Sequence, residues 1–210
     1  MKTTTKLLST LLTCLLIALA LPPGAQAGDE GVYGAAAPPD AAFIRVFNAT
    51  AQAEVEARIG DKVMTDIGAF GASEFVFLPA GKYTLTAGAV SQPVTLKQGK
   101  YYTAALEGKE LRLLENERYA NRLKALVIVY NLVDGSTLSL KTADGRAVVE
   151  NVGANSFGTR EVNAVKVNLT LFDGAKQVAA VKPMNLERGR AFSLFVAGNK
   201  DQPVTSWVVN

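Results

Sequence analysis

Few residues in this chain are able to make or break bonds, so the first question is what those few form together. The 210-residue sequence contains no His and one Cys, Cys14. That removes a Ser-His-Asp triad, a Cys-His pair and a His-ligated zinc at once. Seven Ser remain beyond residue 27, but a hydroxyl nucleophile needs an activating base, and no Gly-x-Ser-x-Gly elbow occurs. Ser136 follows Asp134-Gly135, the signature of a turn tip. Paired carboxylates are the other route to acid–base work. Glu54 and Glu56 share the outer face of one extended segment, roughly 6.6 Å apart by strand rise. Their simplest role is a solvated face, paired across a hairpin with Arg45 or Arg58. Asp61, Asp66, Asp134, Asp144, Asp173 and Asp201 fall mostly in turns, and none belongs to a dense oxygen-ligand loop. No glycine-rich loop precedes a helix, and Leu78-Pro79-Ala80-Gly81-Lys82-Tyr83 reads as a tight turn, not a phosphate cradle. No catalytic residue, no metal and no cofactor is therefore expected.

The elements that would position any site are strands. In AFIRVFN (residues 42–48) Ile44 and Val46 point one way, and Phe43, Arg45 and Phe47 the other. In AEVEARI (residues 53–59) Val55, Ala57 and Ile59 alternate with Glu54, Glu56 and Arg58. Period-2 alternation over runs this short marks half-buried strands. EFVFL, KYTLTA, QPVTL and KYYTAAL continue the pattern, as do ALVIVYNL, STLSLKT, AVVENV, AVKVNLTLF, KQVAAVK, RAFSLFVA and TSWVV. Asp-Gly pairs at Asp134, Asp144 and Asp173 are hairpin signals. No amphipathic helical pattern of useful length appears.

The two halves resemble copies. ALVIVYN (residues 125–131) matches AFIRVFN, and PMNLERGRAFSLFVAG (residues 183–198) matches PVTLKQGKYYTAALEG (residues 93–108). A repeat of roughly 85 residues is one small sandwich unit. The fold class expected is all-β: two tandem antiparallel, Ig-like β-sandwich domains related by an internal repeat and joined by a short charged linker. The boundaries read as 41–114 for the first domain, 115–123 for the linker, with one helical turn in it, and 124–210 for the second domain. Residues 28–40, rich in Gly, Ala and Pro, read as a flexible arm whose large apolar residues are Val32 and Tyr33.

Residues 1–27 read as an export signal: Lys2 and Lys6, an apolar run over residues 7–21, then Ala25-Gln26-Ala27. Fifteen residues fall short of the ~20 needed to span a bilayer as a helix. Cleavage is expected between Ala27 and Gly28, leaving no transmembrane segment and a periplasmic protein. Loss of Lys2 and Lys6 would leave 20 basic against 19 acidic residues, so the formal charge of +3 shrinks to +1. A global pull on nucleic acid is thus unsupported. Without Cys in the remainder, burial alone must hold the fold in an oxidising compartment.

One surface feature stands out. Phe43, Arg45 and Phe47 form an outward row, matched in the second copy by Leu126, Ile128 and Tyr130. A contiguous aromatic row is either a partner-binding surface, with Tyr33 of the arm as a further candidate, or a face packed against the arm or the other domain. Tyr101, Tyr102 and Trp207 read as core or rim.

GAQAGDEGVYG, AAFIRVFNA, FVFLPAGKYTL, LSLKTADG and VKVNLTLFDG together resemble the AlgF family of alginate biosynthesis proteins. The resemblance runs over the whole chain beyond the signal. It implies a periplasmic accessory of alginate O-acetylation that is not itself an enzyme. The implied partners are a membrane-bound O-acyltransferase and periplasmic acetyltransferases, which the accessory would link. The alternatives are a module binding the alginate polymer directly, and an acetyl relay using an unrecognised nucleophile.

Overall fold

Alternation does set the strands. In β1 (Ala41–Asn48) Ile44 and Val46 are fully buried in the core of the first half, as are Val55, Ala57 and Ile59 of β2 (Glu54–Ile59). The computed structural model describes residues 37–210 apart from Ala53; Tyr33 and the Ala27–Gly28 cleavage position lie outside the described residues. The first half continues with β3 (Lys62–Gly68), β4 (Val76–Pro79), β5 (Gly81–Ala87), β6 (Val90–Leu96), β7 (Tyr101–Glu107) and β8 (Glu110–Asn116). The second comprises β9 (Ala125–Asn131), β10 (Thr137–Thr142), β11 (Ala147–Gly153), β12 (Ser156–Val162), β13 (Lys166–Asp173), β14 (Lys176–Asn185), β15 (Ala191–Gly198) and β16 (Pro203–Val209).

Each half is a sandwich of two four-stranded sheets. The first pairs β4-β1-β7-β8 with β3-β2-β5-β6, and the second pairs β12-β9-β15-β16 with β11-β10-β13-β14. Adding eight to every strand number turns one half into the other, so the sequence repeat is a repeat of topology. The expected antiparallel pairing holds except at one pair in each half: β1–β7 and β9–β15 run parallel. A parallel pair needs a long crossover, and here the intervening strands supply it.

Details repeat as well. Asn48 and Asn131 end their strands fully buried. Asn48 donates to the carbonyls of Gln52 and Ile67, Asn131 to those of Ser136 and Val152. Each thus ties down the chain leaving its strand. β3 and β11 carry matching bulges, with Asp66 and Asn151 at positive φ. Asp144-Gly145 and Asp173-Gly174 turn hairpins, whereas Asp134-Gly135 does not, because β9 and β10 belong to different sheets.

Three strands escape the alternation rule, β3, β8 and β12; all are sheet edges. β8 extends past residue 114 into the stretch read as linker, and the segment between β8 and β9 contains no helix. Tyr119 pins that segment by donating its hydroxyl to the carbonyl of Lys124 at 2.8 Å.

Candidate functional site

The outer faces of the two parallel-containing sheets meet. Phe47, Ala105 and Leu114 of the first half pack with Ile128, Tyr130, Ala191 and Phe195 of the second in a third hydrophobic cluster. Phe47 stacks on Phe195 at 3.9 Å between ring centroids, and Phe195 on Tyr130 at 4.5 Å. Apart from Phe43, the outward rows expected from sequence therefore face each other, and the halves form one compact unit.

This corrects the reading of Arg45 and Phe47 as an open partner surface. Phe47 is 0% and Arg45 1% exposed. Two domains whose outer faces are apolar gain by covering them with each other. It also removes Arg45 from the Glu54–Glu56 face, where Glu56 pairs with Arg58 on its own strand at 2.7 Å. Phe43 lies beyond the joint, half-buried, stacked on Tyr101 at 4.4 Å. Tyr102 is core, and Trp207 packs at the rim of the second core.

Arg45 is the most unusual residue in the joint. Its Nε donates to Thr103 Oγ1 at 3.1 Å, its Nη2 to Ser193 Oγ at 2.8 Å, and its Nη1 to Asn210 Oδ1. The guanidinium carbon lies 4.6 Å from the ring centre of Phe75 and 5.1 Å from that of Phe195. The Tyr130 hydroxyl donates to Asn116 Oδ1 at 3.0 Å. Among the described residues no carboxylate lies within ion-pair distance of Arg45. Burial pushes the Arg45 pKa down, with Tyr130 opposing. Hydroxyls, one amide and aromatic faces make the direct contacts to the cation, and the Glu74 carboxylate acts on it only from beyond ion-pair distance.

Beside the network is a cavity of about 180 Å³ lined by Phe75, Tyr101, Asn116, Tyr119, Tyr130 and Asn210, among others. Sequence reasoning missed Thr103, Ser193, Phe195 and Asn210. One signal was present: Thr103 and Ser193 hold the same place in the matched segments KYYTAAL and RAFSLFV, a hydroxyl in an otherwise apolar strand.

The other buried serines among the described residues are bonded to the backbone. Ser136 is buried and donates to the carbonyl of Val133 at 2.8 Å. Ser73 and Ser139 accept from the backbone amides of Val46 and Asn151. Among the described residues Ser193 has a guanidinium and an amide group as its side-chain bonding partners. Among the described residues no three His, Cys, Asp or Glu converge as metal ligands.

A family model described as "Alginate O-acetyl transferase AlgF" matches residues 15–193. The alginate biosynthesis protein AlgF of Pseudomonas aeruginosa is 44% identical over 186 residues, covering 88% of this chain and 85% of that protein. The solved C-terminal domain of AlgF from P. aeruginosa is 52% identical and covers 42% of this chain and 99% of that domain, with a TM-score of 0.38. The solved N-terminal domain is 30% identical and covers 39% of this chain and 99% of that domain, with a TM-score of 0.35. A family match over most of the chain and this identity to a relative covered over 85% of its length carry one conclusion: the chain belongs to the AlgF family.

Proposed function

We propose that this protein is a non-catalytic periplasmic adaptor in the O-acetylation of alginate, linking a membrane-bound O-acyltransferase to periplasmic acetyltransferases. Family membership supplies the polymer and the modification. One observation of the geometry carries the adaptor role. Arg45, the largest fully buried side chain, reaches from the first sandwich to Ser193 and Asn210 of the second while Thr103 of its own sheet holds its Nε. A body built this way presents surfaces on two domains at a fixed spacing, which suits a protein that holds others in register.

The family description as a transferase favours a second reading, an acetyl relay through a serine. Against it, a guanidinium is a permanent cation and cannot take the proton of Ser193. The other buried serines are bonded to backbone groups.

The test uses the exported chain. It is incubated with an activated acetyl ester and examined for turnover and for an acetyl adduct by intact mass. It is then titrated with each purified acetylation component and, separately, with oligomannuronate. The adaptor reading expects no adduct, no turnover, and affinity for at least one protein component. Turnover of the ester by the chain alone would overthrow it. Affinity for the sugar alone, lost in high salt, would replace it with polymer binding.

A further inference from the structure

Two sandwiches of two four-stranded sheets each have eight sheet edges, and an edge is a row of unpaired N–H and C=O groups that another strand can join. Seven of the eight are blunted. In the first half β3 is bulged at Asp66, β4 has four residues, β6 carries Pro93, and β8 carries Glu110 and Arg112. In the second half β11 is bulged at Asn151, β12 carries Arg160 and Glu161, and β14 carries Lys182 and Pro183. Bulges, charges, prolines and shortness are the devices that keep foreign strands away.

β16 has none of them beyond its first residue. From Val204 to Val209 it is uncharged, unbulged and largely apolar, with Val204 39% and Val209 40% exposed. Its counterpart in the repeat is β8, with three charges in seven residues. The same edge is therefore guarded in one copy and open in the other.

The direction of its free groups follows from its pairing. The Asn210 amide donates to the carbonyl of Ala191 at 2.8 Å, and β16 pairs antiparallel with β15. Hydrogen bonding alternates along such a pair. Ser206 and Val208 thus bond inward, and the N–H groups of Thr205, Trp207 and Val209 point out. Among the described residues no group pairs with them.

The charge beside this edge narrows the occupant. Trp207 donates to the carbonyl of Lys182 on β14 at 2.9 Å, which sets Lys182 next to β16. Nearby, Lys176 pairs with Asp201 and Lys200 with Asp173, while Lys182 has no carboxylate within ion-pair distance among the described residues. We infer that β16 accepts an extended segment of a partner protein by strand addition, and that the segment is apolar with an acidic residue placed towards Lys182. The inference rests on the adaptor reading and names the edge that reading would use.

The test measures binding of the exported chain to the purified periplasmic acetyltransferase. Thr205→Pro deletes an outward N–H that β15 does not use. Val204→Lys adds the guarding charge that β8 has, and Val63→Lys on bulged β3 is the control. Thr205→Pro and Val204→Lys are expected to weaken binding about tenfold or more, Lys182→Glu about threefold, and Val63→Lys not at all. Hydrogen exchange at the Thr205, Trp207 and Val209 amides should slow in the complex. If wild type binds no acetylation component, the adaptor reading itself fails. If wild type binds and folded Val204→Lys binds equally, the edge proposal fails alone. Val204→Lys also decides the matter if Thr205→Pro does not fold. Self-association of wild type abolished by Val204→Lys would give the edge to a second copy. A gain of about tenfold on deleting residues 28–36 would give it to the chain's own arm. Either result overturns the proposal.

Discussion

Replacing Arg45 by Ile tests whether the buried cation joins the halves. Ile stands at the matching position of the second copy, Ile128, so the variant makes the two copies alike at this position. The substitution deletes three hydrogen bonds from a charged donor, each worth ~1.5–3 kcal/mol. It also deletes the packing of the guanidinium over Phe75 and Phe195. Opposing this, it relieves the desolvation of an unpaired cation, which costs several kcal/mol. The Thr103 hydroxyl keeps Tyr130 within reach and Ser193 keeps Asn210, so orphaned groups add little. The balance is a loss of ~2–4 kcal/mol. At 2–4 °C per kcal/mol for a domain of this size, the thermal midpoint should fall by roughly 4–16 °C. Because each sandwich keeps its own core, calorimetry should also show the single transition broadening or splitting. A midpoint equal to or above wild type, with one sharp transition, would refute the reasoning: desolvation would then outweigh the bonds.

Phe195→Ala removes the ring sandwiched between Phe47 and Tyr130. It should cost ~3–5 kcal/mol in chemical denaturation, with proteolysis then releasing separate halves. Gly158→Ala places a methyl 2.8 Å from side-chain atoms of both Val149 and Val152, and overpacking there should cost ~1–3 kcal/mol, read as a lowered denaturation midpoint. The hydroxyl of Thr142 and the guanidinium of Arg146 hold the Asp144 carboxyl down to about 2. Its folded pKa lies below its unfolded value, so its contribution is present above about pH 3.9 and fades as pH falls through about 2. A carboxyl NMR titration of Asp144 with its midpoint near 3.9 would contradict that.

What sequence made legible, and what it hid, follows one physical rule. Alternation reports which residues leave a sandwich core, and it placed Ile44 and Val46 inward and Arg45 and Phe47 outward correctly. It cannot report what covers the outward face, because one sheet surface against water and the same surface against another sheet have the same period. Arg45 looked like a surface residue because a cation rarely survives burial without a carboxylate, and its partners, Thr103, Ser193 and Asn210, lie 58, 148 and 165 residues away. The strands that escaped reading, KVMTDIG, ELRLLEN and SFGTREV, failed for a related reason. Each is an edge, and the charges and bulge that guard it also break its pattern. β16 was read easily because it carries no such guard. Comparing the copies is therefore more informative than reading either alone. Where they agree, as at Asn48 and Asn131, the fold needs the residue. Where they part, as at Arg45 and Ile128, Ala105 and Phe195, or β8 and β16, the duplicated scaffold has been made asymmetric, first to fix its own joint and then to leave one edge open.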